Sequence, residues 1–169
     1  MRGLRILAAA AAALTATGAA LTGPVGAASP ASVAARLRAA GLRPVALLPA
    51  PLPSLLRHSK ATLDEITGDG YSVSYQYRSH PYTRDLPFGF VTVARDHTSL
   101  RSILDDRRFS GRRKPRSAIA GHTCYLIPAD ISFLYACRIQ GFTYRFLSKY
   151  YGGATKATLR EFIRGLRPV

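Results

Sequence analysis

Cys124 and Cys137 lie symmetrically about Asp130-Ile131, and that symmetry constrains this chain more than any other feature. An antiparallel hairpin turning at residues 130–131 sets the two cysteines directly opposite each other. In a non-hydrogen-bonded pair they are close enough to bridge, and closing a loop of this size contributes about 3 kcal/mol on the chain-entropy model. The next turn falls at Gln140-Gly141. With that register Cys137 faces Tyr144, Tyr135 faces Phe146 and Ile139 faces Phe142. One sheet face then carries Cys124, Leu126, Phe133, Tyr135, Ile139, Phe142, Tyr144 and Phe146. Such a face needs a cover. Leu159, Phe162, Ile163 and Leu166 recur at helical spacing behind Thr158-Leu159-Arg160-Glu161, which has the form of a capping box. They predict a lid helix from about Thr155 or Thr158 to Leu166.

Paired cysteines bridge in an oxidising compartment, and the start of the chain points to one. Arg2 and Arg5 precede an apolar run from Ile6 to Leu14, and Val25-Gly26-Ala27 supplies small residues for cleavage, so residues 1–27 read as a secretory signal peptide. No cysteine near the cut could accept a lipid, and no Arg-Arg pair marks folded export. No later stretch is long and apolar enough to span a bilayer. The expectation is a chain released outside the cell or into its envelope, with no transmembrane anchor after cleavage.

Cleavage leaves 142 of 169 residues, an ordinary single domain. The expected division is an N-terminal helix and strap over 28–60 and one α+β domain over 61–169. The formal charge of +15 falls by two arginines to +13, which favours anionic partners. The basic residues are 20 Arg against 4 Lys. Such a bias, with so much Ala, also arises from GC-rich codons, so the charge has a compositional reading beside the functional one.

Ser29-Pro30, Val33, Leu37, Ala40 and Gly41 outline a short capped helix. Pro44, Pro49, Pro51 and Pro53 alternate with apolar residues up to Leu56, in the manner of an extended, polyproline-like strap. Leu63 to Ile66 suggests a turn of helix before the break at Gly68-Asp69-Gly70. From Tyr71 the period becomes two: Tyr71, Val73, Tyr75 and Tyr77 share one face of a strand, and Phe88 to Arg95 forms a second after a polar link from Ser79 to Pro87. Thr98 or Ser99 caps a short helix bearing Leu100, Ile103 and Leu104. Beyond it Arg107, Arg108, Arg112, Arg113, Lys114 and Arg116 form an exposed, mobile loop around Phe109.

The tail in which Cys137 is followed by Gly141, Tyr144, Leu159, Phe162-Ile163 and Leu166 resembles the C-terminal strand-strand-helix of a bacterial envelope domain of unknown function, often attached to anti-sigma factors and to proteins resembling outer-membrane lipoprotein carriers. The resemblance covers about the last 50 residues, with Leu47-Leu48-Pro49 and Leu52-Pro53 as weaker support. Many such domains carry Trp where this chain has Cys137. What the resemblance implies is an antiparallel sheet packed on a helix, with no catalytic residues.

Constellations with chemistry are scarce. No Gly-x-Ser-x-Gly elbow occurs, and Asp96-His97 are neighbours that point apart on an extended chain. His122 is two residues before Cys124, which would suit an activated thiolate, but a structural bridge to Cys137 is the stronger reading. His58, His80 and His97 have no metal-ligand spacing. Asp64-Glu65 and Asp105-Asp106 read as helix-end charges rather than paired catalytic carboxylates. No catalytic, metal or cofactor residue is therefore expected.

Two features remain. The six cations of residues 107–116 could engage phosphates or sulfates through guanidinium forks. Outside the cell an anionic envelope polymer or lipid head groups suit them better than nucleic acid, and the alternative is a solvated loop. Tyr125, Leu147 and Tyr151 fall on the sheet side away from the lid, where an apolar patch would serve a protein or hydrophobic ligand. The expected fold is α+β, an antiparallel meander of about five strands from Tyr71 to Tyr151 under the C-terminal helix. The expected function is non-enzymatic binding in the extracellular or envelope space. A protein-interaction domain using the aromatic face is the second reading, and a hydrolase with a cleft of His and carboxylates the third.

Overall fold

Alternation along residues 70–78 buries Tyr71, Val73, Tyr75 and Tyr77 and leaves Ser72, Ser74 and Gln76 on the opposite side, so a strand with one apolar and one polar face organises everything around it. The computed structural model describes residues 29–78, 88–129, 132–149 and 154–169. Residues 1–28, where the signal peptide is expected, 79–87, 130–131 and 150–153, with Tyr150 and Tyr151 among them, lie outside these.

Helix α1 (Pro30–Ala39) is capped by the Ser29 side chain as expected and buries Val33 and Leu37. β1 (Leu47–Pro49), β2 (Lys60–Thr67), β3 (Gly70–Arg78) and β4 (Phe88–Asp96) follow. Then come α2 (Leu100–Leu104), β5 (Arg116–Ile119), β6 (His122–Ala129), β7 (Ser132–Ile139), β8 (Phe142–Lys149), α3 (Lys156–Arg164) and β9 (Leu166–Pro168). A seven-stranded sheet runs in the order β2-β3-β4-β8-β7-β6-β5, and β1 pairs with β9 in a separate ribbon. Every neighbouring pair is antiparallel.

The predicted C-terminal register holds residue by residue: Cys124 opposite Cys137, Cys137 opposite Tyr144, Tyr135 opposite Phe146 and Ile139 opposite Phe142. The cysteine Cα atoms are 4.1 Å apart and the sulfurs are at bonding distance, 2.09 Å. The β7–β8 turn uses Gln140 and Gly141 with φ of 51° and 83°, both in the left-handed region that a two-residue I′ hairpin requires.

Four expectations are corrected. The single five-strand meander is two meanders, β2-β3-β4 and β5-β6-β7-β8, joined where β8 meets β4. This arises because α2 and the basic segment carry the chain across the sheet to its far edge before β5 begins. Leu63 to Ile66 is strand, not helix: Ala61 and Leu63 alternate inward against Tyr75 and Val73. The proline strap contains β1 and a 3-10 turn at Ser54–Leu56, since β9 supplies a pairing edge. Finally, α3 is capped one turn earlier than the predicted box, by Thr155 with Thr158, and it stops at Gly165 so that Leu166 enters β9.

On the closed face, α3 lays Phe162 edge-on to Tyr75 and Phe146, with ring centroids 5.3 and 6.1 Å away. Tyr71 and Tyr144 are buried beside them, and burial pushes both hydroxyls above the ordinary tyrosine range. The Tyr71 hydroxyl donates to Leu47 O at 2.5 Å and accepts from Leu47 N at 3.0 Å, which fixes β1 on the sheet. Arg95 occupies the same row, between Tyr71 and Tyr144 on adjacent strands, and is 1% exposed. Its Nε donates to Asp69 O at 2.8 Å and its Nη1 to Pro44 O at 2.7 Å. Its guanidinium stands 5.1 and 4.9 Å from the ring centres of Tyr71 and Phe142. A buried cation held this way ties the strap and the β2–β3 turn to β4, with no carboxylate partner among the described residues.

Candidate functional site

The open face is defined by what α2 covers. Ser99 caps that helix through a 3.0 Å bond from Ser102 N. Ile103 packs on Ile127 and Ala136, with Leu100, Leu104, Phe109 and Leu134 around them, in a small second core. This anchors the start of the basic segment to the sheet.

The segment is exposed as expected and carries a short turn of its own. Asp106 accepts from Arg108 N at 2.9 Å and grips its guanidinium at 2.6 Å from Nη2, which caps a 3-10 turn at Arg107–Phe109. The Arg108 side chain holds the Asp106 carboxyl below its ordinary range, and Asp106 raises Arg108 in return. Arg112 Nη1 donates to Pro128 O at 3.2 Å, and Lys114 Nζ to Leu104 O at 2.5 Å. Leu126 N donates to Pro115 O at 3.0 Å just before β5 starts at Arg116. So of the six predicted anion-binding residues, Arg112 and Lys114 tie the segment to β6 and α2, while Arg108 closes on Asp106 within the segment itself. Arg107, Arg113 and Arg116 are exposed and have no polar partner among the described residues. Asp105, the other acid here, pairs with Arg101 at 3.3 Å.

Register then places the open-face side chains. One row crosses all seven strands as Glu65, Ser72, Ala94, Arg145, Ala136, Tyr125 and Arg116. It runs from a carboxylate at the β2 edge to the exposed Arg116 guanidinium at the β5 edge. Asp64 lies beside Glu65 and takes bonds from Ser72 and Ser74 at 3.3 and 2.7 Å. The helix-end reading of Asp64-Glu65 is thus replaced by a strand bulge, which turns two consecutive carboxylates to one face.

Tyr125 and Leu147 sit on this face as predicted and are half-buried. Its exposed large apolar residues, among the described residues, are Phe88 and Phe90 at the β4 end. His122 opens β6, with Cys124 bonded to Cys137. Sequence reasoning passed over Arg95, although the alternation Val91, Val93, Arg95 already put it on the apolar face. It also missed the Asp96–Arg145 pair, whose contact depends on β4 meeting β8.

No family model, curated protein or solved structure matches the chain. No helix among the described residues is long and apolar enough to cross a membrane.

Proposed function

We propose that this is an exported, non-enzymatic binding domain whose β5 edge holds phosphate-rich anionic groups of the cell envelope, on a polymer or on lipid heads. The observation that carries the reading is the division of labour in residues 107–116. Arg112 and Lys114 tie the segment to β6 and α2 and Arg108 braces its own turn on Asp106, which leaves Arg107, Arg113 and Arg116 presented with no polar partner among the described residues. Pre-organised guanidiniums lose little side-chain freedom on meeting a phosphate and can grip two oxygens at once. The bridged cysteines and the N-terminal segment support an oxidising destination.

The test is binding of residues 28–169 to anionic vesicles and, separately, to a glycerol-phosphate polymer, each across a salt series. A triple variant, Arg107→Gln, Arg113→Gln and Arg116→Gln, is compared with Arg36→Gln, Arg38→Gln and Arg164→Gln, which changes net charge equally elsewhere. The first loses at least about tenfold in affinity, because three exposed contacts near 0.5 kcal/mol each sum to that factor. The second keeps its affinity. Equal losses in both variants would reduce the effect to overall charge, and the vesicle and polymer arms identify the source of the phosphate.

A further inference from the structure

At the other end of the open face a groove of about 310 Å³ is lined by Glu65, Thr67, Ser72, Ala94, Asp96, His97 and Arg145, a volume that suits a small ligand. Its floor is Ser72 and Ala94, two small side chains in the middle of the cross-strand row, and its walls are Glu65 and Arg145 at either side of them. Arg145 Nη2 meets Asp96 Oδ2 at 2.5 Å, while its Nε and Nη1 have no partner among the described residues and its side chain is 45% exposed. Glu65 uses Oε1 to take the Thr67 hydroxyl at 2.6 Å, and its second oxygen is without a partner among the described residues. One side of the groove therefore offers guanidinium donors and the other a carboxylate acceptor.

We infer that the groove binds a small zwitterion, with its carboxylate on Arg145 and its ammonium on Glu65. A lone metal ion is poorly served, because Asp64 is held by two serine hydroxyls and Asp96 by Arg145. A simple anion would meet the carboxylates of Glu65 and Asp96, which line the groove. Its Ser72 hydroxyl donates to Asp64 at 3.3 Å, and His97 packs against the Phe142 ring at 5.0 Å. Three strand spacings separate Glu65 from Arg145 by about 14 Å at Cα. Two extended residues span about 7 Å, and the two long side chains cover the remainder, so a free dipeptide is the simplest match.

The experiment uses residues 28–169 and the dipeptide Ala-Ala, followed by amide chemical shifts and by calorimetry, with N-acetyl-Ala-Ala and Ala-Ala-amide as probes lacking one charge each. Ala-Ala binds about tenfold or more tightly than either capped form, since each cap removes one charge-assisted contact. Glu65→Gln abolishes the advantage over the acetylated probe, and Arg145→Gln the advantage over the amide. Arg113→Gln, in the segment leading to the distant β5 edge, changes neither, which keeps this result separate from the envelope-binding test. Equal affinity for all three probes, or no shift changes around Ser72 and Ala94 at saturating dipeptide, would overturn the inference.

Discussion

Arg95 and Arg145 stand on neighbouring strands at the same end of the sheet, yet the fold treats them differently. Arg95, on the closed face, is 1% exposed and is held by backbone carbonyls and aromatic rings. Arg145, on the open face, keeps nearly half its side chain in solvent and meets a carboxylate. The closed face uses a cation as an internal fastener, where its fixed donors satisfy carbonyls that the strap could not otherwise pair. The open face leaves cations with donors to spare, and those spare donors are what a ligand can use.

The sharpest way to break this contrast is to open the closed face. Phe162→Ala removes the ring that α3 lays on Tyr75 and Phe146 and is expected to cost about 3–5 kcal/mol, read by denaturant unfolding. A loss below about 1 kcal/mol would mean α3 is a dispensable cover. Next comes Arg95→Met, which keeps the stem but strands the carbonyls of Pro44 and Asp69. The expected loss is about 1–3 kcal/mol. A gain in stability would instead show that desolvating the guanidinium outweighs its bonds. The smallest effect belongs to Asp96→Asn, which breaks the half-exposed pair with Arg145 and should change stability by less than about 1 kcal/mol. A larger change would make Arg145 structural like Arg95, and the open face would lose its distinction.

Much of the closed face was legible in the sequence because it depends on local signals. Two-residue periodicity, the symmetric cysteines and the Gln140-Gly141 turn fix the β6-β7-β8 hairpins without reference to the rest of the chain. β2 and β5 were not legible: β2 takes its form from the β3 edge beside it, and β5 offers only Ala118 and Ile119 as apolar residues behind Pro115. The candidate sites divide the same way. The basic run was visible as composition, but which cations are bound and which are free depends on contacts with Asp106, Pro128 and Leu104. The groove was invisible, because Glu65 and Arg145 share a row only once β4 has met β8.

That meeting also sets a schedule. While the chain emerges, β2, β3 and β4 can pair locally, but the inner edge of β4 has to wait for β8, about fifty residues downstream. Until then its backbone donors and acceptors face an unfilled side. The β4–β8 pairing is thus the long-range closure of the sheet, whereas the β6-β7-β8 hairpins pair neighbours in sequence. A polypeptide built this way keeps its sheet incomplete until both halves are present and assembles its final surface only then.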